Sequence, residues 1–155
     1  MYNKILVPLD GSELAECVLP HVQSIASGCG VREVVFIRIV EPFYMTTGDD
    51  VAGFSVTAVE QINLQRKVAA EKYLEETAER IKLDGAQSKV EVMVGLPADD
   101  IADYARKNNV DLITIATHGR SGISRWVWGS VADRILRSAC APVLMVRPKG
   151  CVPGI

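Results

Sequence analysis

Val110-Asp111-Leu112-Ile113-Thr114-Ile115-Ala116-Thr117-His118-Gly119-Arg120-Ser121-Gly122-Ile123-Ser124-Arg125-Trp126-Val127-Trp128-Gly129-Ser130 is the stretch that decides the fold. Residues 110–115 are an apolar run that reads as a buried parallel strand. The residues that follow the stretch, Val131-Ala132-Asp133-Arg134-Ile135-Leu136-Arg137, have the apolar spacing of an amphipathic helix. A strand thus feeds a glycine-containing polar loop, and the loop feeds a helix. In that geometry backbone N–H groups and a helix N-terminus converge on an anion. Glycine suits such a loop because it permits positive φ and lets phosphate approach the main chain without meeting a Cβ. An ordinary strand-to-helix turn has the same local features, and these features leave both readings open.

Outward from this stretch the chain reads as a series of βα units. Ile5 to Leu9 is a buried strand, and Asp10-Gly11-Ser12-Glu13 opens a helix to about Ala26. Asp10 or Ser12 is its N-cap, with Glu13 placed for a capping box, and Ser27-Gly28-Cys29-Gly30 stops it. Val34 to Val40 is β-branched and aromatic, hence a second strand. Residues 41–55 lack a period, and a loop that long suggests a lid, an interface or plain mobility. Helical spacing covers Val56 to Leu83, with Val59, Ile62, Ala69, Tyr73 and Ile81 on one side and Glu76–Arg80 as an i,i+4 pair. Asp84-Gly85 stops that helix. Lys89 to Val94 alternates, as a strand near a sheet edge does, and Pro97 opens a helix over Asp99 to Lys107. Pro142 introduces a last strand, Val143 to Arg147, which Pro148 ends. The alternation predicts an α/β fold: a single open parallel five-stranded sheet, helices on both faces, Rossmann- or flavodoxin-like. In such sheets ligands bind beyond the carboxyl ends of the strands, here Leu9-Asp10, Ile39-Val40 and Ala116-Thr117.

The bulk numbers exclude several classes. A chain of 155 residues, 48% apolar and 23% charged, is one domain with a core of its own, residues 148–155 forming a tail. Its net charge of −2, without long Lys/Arg runs, argues against nucleic acid as a partner. No apolar stretch approaches the roughly 18 residues of a membrane span, and the start has no signal-peptide pattern. Cys17, Cys29, Cys140 and Cys151 form no C-x-x-C pair, and His21 and His118 supply no zinc spacing. They read as reduced thiols of a cytoplasmic protein, Cys17 and Cys140 within helices and Cys151 in an exposed tail. Gly119-Arg120-Ser121-Gly122 falls one residue short of a G-x-S-x-G nucleophile elbow, and no histidine follows it. No G-K-[S/T] triplet marks a P-loop.

Gly119, nine residues, and then Gly129-Ser130 resemble the G-x2-G-x9-G-[S/T] nucleotide signature of the universal stress protein family. Ala116 stands where that signature has its first glycine. The neighbouring words are similar too, as are Lys4-Ile5-Leu6-Val7-Pro8-Leu9-Asp10-Gly11-Ser12 at the start and Ala141-Pro142-Val143-Leu144-Met145-Val146-Arg147 near the end. The resemblance implies an adenine-nucleotide α-hydrolase type of fold. It also implies a stress-response or signalling module that binds ATP or AMP, with Mg²⁺ at the phosphates left open. Pro8 and Leu9 would line the adenine pocket, backbone groups of Ile39 would read the adenine edge, and Asp10 would take the ribose. Gly119, Gly129 and Ser130 are the phosphate candidates. Val131 and Ala132 add helix N-terminal donors, and Arg120, with a weaker claim for Arg125, adds charge.

Each assignment has a plainer alternative. Asp10 and Ser130 could be helix caps, the arginines could solvate a turn, and Ala116 tolerates its methyl only where φ is negative. His118 is a tempting base, yet a lone loop histidine is more often a packing or hydrogen-bonding residue. Trp126 and Trp128 would point roughly 200° apart on a helical turn, so they do not share one core. The resemblance further implies a homodimer through Val143 to Arg147. A slow ATPase and a nucleotide-free adaptor are the competing functions.

Overall fold

The computed structural model describes residues 2–44, 56–117 and 129–148. In chain order its elements are β1 (Lys4–Pro8), α1 (Leu19–Cys29), β2 (Glu33–Val40), α2 (Val56–Arg80) and β3 (Gln87–Val94). Then come α3 (Pro97–Lys107), β4 (Leu112–Ala116), α4 (Ser130–Ser138) and β5 (Val143–Val146). The strands make one parallel sheet in the order β3-β2-β1-β4-β5. The chain therefore steps outward from β1 to β3, then returns to the other side of β1 for β4 and β5. The reversal falls between β1 and β4.

Strand alternation builds two cores. Ile5 and Val7 of β1 join Val34 and Phe36 of β2 under Val22 of α1 and Leu74 of α2. Leu6, Val35, Ile37, Ile113 and Ile115 face the other way, against Ile101 of α3 and Ile135 of α4. Covered on both faces, β1, β2 and β4 need nearly continuous apolar sequence, which is why they are legible as buried strands. The alternating β3 lies at the sheet's edge, as its pattern predicts.

Several local expectations are corrected. The first helix does not run directly from the Asp10 turn: a 3₁₀ turn, Ala15–Val18, precedes α1. Pro20 has no N–H to give the Glu16 carbonyl, and Leu19 N–H takes that carbonyl in an i→i−3 bond instead. Ser12 Oγ accepts the Ala15 N–H at 3.2 Å and so caps this turn, while Glu13 is exposed. α1 passes Ala26 and ends only where Gly30 adopts φ 64°. α2 stops at Arg80, short of Leu83. Tyr73, and Ile81 just past its end, pack on the core as expected, but its fully buried positions are Ala70, Leu74 and Thr77, and Ala69 is exposed. Cys140 is exposed beyond the end of α4, and Cys17 and Cys29 are half-buried and in no disulfide. Cys151, Trp126 and Trp128 lie outside the described residues, as does most of the 41–55 loop.

The anticipated Glu76–Arg80 pair is also replaced. Arg80 reaches across to Glu16 Oε2 at 3.0 Å and to Thr77 Oγ1 at 3.2 Å, while Glu76 meets Lys72 at 3.8 Å. Glu16 is the better partner because its carboxylate is already held by the Tyr73 hydroxyl, which donates to Oε1 at 2.9 Å. Two donors on a partly desolvated carboxylate outweigh one exposed ion pair on a helix face. This bracket ties α2 to the 3₁₀ turn.

Burial, and next the hydrogen bond to Glu16, hold the Tyr73 phenol well above the ordinary tyrosine range. The fold thus favours the neutral form. Stability owed to Tyr73 is full below about pH 10, where an unfolded tyrosine begins to ionise. It falls as pH rises toward the higher pKa of the folded state. Urea denaturation should show wild type more stable than Tyr73→Phe at about pH 9, with the gap narrowing by about pH 11. A gap unchanged between the two would contradict the bracket.

Candidate functional site

β1 stops at Pro8, opposite Ile37, while β2 continues to Val40. Leu9 N–H donates to Ile37 O at 2.9 Å, and on the other side Gly95 N–H donates to Val40 O at 3.1 Å. Backbone polar groups alternate sides along a parallel strand, so the odd residues of β2 face β1 and the even ones face β3. Ile39 therefore turns its N–H and C=O into the gap where β1 has ended. A backbone donor and acceptor side by side match the edge of a heterocyclic base.

Across the gap stand the end of β4 and the start of α4. Thr117 N–H donates to Val146 O at 2.8 Å, and Thr117 O accepts the Gly129 N–H at 2.7 Å. The chain thus leaves at Thr117 and returns at Gly129 within one hydrogen bond. Ala132 and Ile135 bury one face of α4 in the second core, and Arg134 reaches Asp99 of α3 at 2.9 Å, fixing the helix direction. Among the described residues no side chain caps α4. Ser130 is thus the first helical residue with Gly129 as N-cap, and its hydroxyl is not the cap that sequence allowed. Gly129 has φ −52°, so this glycine supplies open space rather than an unusual backbone. The Ser130, Val131 and Ala132 N–H groups precede the first i→i−4 bond, from Asp133 to Gly129 O at 3.0 Å. A helix end of this kind favours an anion.

A cavity of ≈ 760 Å³ joins the two halves, within the range of small-molecule sites. Pro8, Leu9, Asp10 and Ile39 line it from the β1 and β2 side. Ala116, Gly129, Ser130, Val131 and Ala132 line it from the β4 and α4 side. Ala116 lies in strand, and among the described residues only Asn109 has positive φ without being glycine. The methyl at Ala116 is therefore accommodated without strain. Gly119, Arg120, His118 and Arg125 fall outside the described residues.

Sequence reasoning missed Arg38, Glu41 and Arg66, which put charge on the same wall. Arg38 had a signal: it is the single charge within the apolar run of β2. Arg66 had none, because it reads as one more polar residue on an exposed helix face. Its guanidinium lies 5.4 Å from the Phe43 ring centroid, and Asn63 holds Phe43 by accepting its N–H at 2.8 Å and donating to its carbonyl at 3.3 Å. Asp10 Oδ1 accepts Ser12 N–H at 2.9 Å and Ser12 Oγ–H at 2.6 Å. That turn aims the carboxylate from the end of β1.

No helix among the described residues is long and apolar enough to cross a membrane. The universal stress protein family model matches residues 1–147. Universal stress protein MJ0531 of Methanocaldococcus jannaschii is 30% identical over 95% of this chain and 83% of its own length. The solved structure of MJ0577 from the same organism is 27% identical with a TM-score of 0.74, covering 97% of this chain and 99% of that one. A universal stress protein of Archaeoglobus fulgidus, solved in complex with dAMP, shares the fold at 24% identity and a TM-score of 0.62, covering 93% and 97%. With Ala116, Gly129 and Ser130 lining one cavity and the family match spanning residues 1–147, this protein belongs to the universal stress protein family.

Proposed function

We propose that the cavity binds an adenine nucleotide, ATP or AMP, and that the bound state is the output of a stress-response or signalling module. The observation that carries this reading is the pairing of Ile39's outward-facing backbone with the N-terminus of α4 across one cavity. The first suits a base edge and the second a phosphate. Asp10, between them, suits the hydroxyls of a ribose. The dAMP bound by the Archaeoglobus fulgidus relative supports the ligand class. The donors on the α4 wall are backbone N–H groups, which hold ground-state phosphate about as well as a transition state. Binding rather than turnover follows from such a wall. Among the described residues no three His, Cys, Asp or Glu side chains converge to hold a metal. Mg²⁺ would therefore enter with a polyphosphate. Cys17, Cys29 and Cys140, none of them in a disulfide, fit the reducing cytoplasm, to which we assign the protein.

We also propose a homodimer through β5. This short apolar strand, Val143–Val146, ends the sheet, and an edge of that composition with no described strand beside it invites pairing. A two-fold mate adding its own β5 antiparallel would satisfy both edges.

Asp10→Ala should weaken AMP about ten-fold or more by isothermal titration calorimetry, from the loss of a charged hydrogen bond. Asp10→Asn, which keeps an acceptor for the Ser12 turn, should recover part of that loss. Wild type without measurable heat at millimolar AMP or ATP would refute the nucleotide reading. For the dimer, Met145→Pro should shift sedimentation toward monomer, whereas a monomeric wild type at micromolar concentration would refute pairing through β5.

A further inference from the structure

Arg38 belongs to the cavity but not to the base, ribose or phosphate contacts described above. Residues 38 and 39 point to opposite faces of β2, so Ile39 packs with the second core while Arg38 turns toward α2. Its guanidinium carbon lies 5.5 Å from the centroid of the Tyr73 ring. The ring is in turn fixed by its hydroxyl bond to Glu16, which Arg80 also holds. The guanidinium also rests against the turn that carries Asp10. A Cβ built on Gly11 would lie 2.8 Å from Arg38 Nη1 and 3.2 Å from Cζ. Gly11 has φ +87°, so glycine here serves both the turn and the close approach of the cation. A permanently charged planar fork is thus packed against both an aromatic ring and the ribose-side turn, at the wall of the cavity. Stacked arginine of this kind keeps its orientation and suits bidentate contact with phosphate.

We infer that Arg38 forms a second anion subsite, selecting adenine nucleotides that carry an additional phosphate on the ribose 2′ or 3′ oxygen. The inference rests on the nucleotide orientation proposed above. With the base at Ile39 and the 5′ phosphate at α4, the 5′ carbon points to one end of the cavity. The 2′ and 3′ oxygens lie on the opposite side of the sugar ring, toward Asp10 and Gly11, and Arg38 lines the cavity beside that turn. Asp10 accepts from whichever hydroxyl remains. Its Oδ1 is already engaged by Ser12, which tempers its repulsion of a neighbouring phosphate. In dinucleotide sites an arginine near the ribose is the residue that accommodates a 2′-phosphate.

The test compares calorimetric affinities of the full chain for AMP, ADP, adenosine 2′,5′-bisphosphate and adenosine 3′,5′-bisphosphate. ADP adds its phosphate at the 5′ end and so controls for charge alone. One of the two bisphosphates should bind about ten-fold or more tightly than AMP, and which one identifies the oxygen that faces Arg38. In Arg38→Gln and Arg38→Met the bisphosphate-to-AMP preference should fall to about one, while the ADP-to-AMP ratio keeps its wild-type value. Reading two variants keeps the comparison intact should one of them fold poorly. AMP binding without preference for either bisphosphate overturns this subsite and leaves the nucleotide reading standing. Equal loss of the ADP and bisphosphate ratios in both variants also overturns it. Failure of all four ligands overturns the nucleotide reading and this inference with it.

Discussion

The site depends on β1 being shorter than its neighbour. β2 runs on to Val40 after β1 has ended at Pro8, opposite Ile37. The missing neighbour leaves the Ile39 peptide groups facing open space at the carboxyl end of the sheet. Backbone polar groups placed there need a partner, and a partner from outside the chain has to carry both a donor and an acceptor. The strand order β3-β2-β1-β4-β5 places the opening beside the β1/β4 reversal, where helices leave toward opposite faces of the sheet. Strand length and strand order together create the cavity, and the side chains then qualify it.

Charge is distributed along that cavity by packing rather than by loops alone. The α4 end offers backbone dipoles, held in direction by the Arg134–Asp99 pair and the burial of Ile135. The β2 and α2 wall offers two guanidiniums, each seated on an aromatic ring: Arg38 on Tyr73 and Arg66 on Phe43. Asp10 and Glu41 lie among them. The bracket of Tyr73, Glu16 and Arg80 therefore serves stability and site geometry together, because it fixes the surface against which Arg38 rests.

Much of this architecture is legible in the amino-acid sequence. Strands buried on both faces stand out as apolar runs, and Gly129-Ser130 marks the helix start that lines the cavity. What escapes a reading of the sequence depends on contacts between distant segments. Pro20 removes a donor from Glu16, so the first helix starts late. The Glu16 carboxylate, already held by Tyr73, draws Arg80 away from the i,i+4 partner that helical spacing suggests. Ala69 looks like core by its composition yet lines the cavity instead. Arg38 carries a visible signal as a charge inside an apolar strand, but its meaning requires the Gly11 turn and the Tyr73 ring to be placed beside it.

The central claim is that backbone groups freed at the strand ends hold the nucleotide. Amide chemical shifts in a ¹⁵N-labelled sample titrated with AMP test it most directly. The account predicts large, saturable shifts at the Ile39, Val131 and Ala132 amides, with little change along β3 residues 87–91. Shifts that leave Ile39 and the α4 N-terminus untouched, or that gather elsewhere on the sheet, would contradict it.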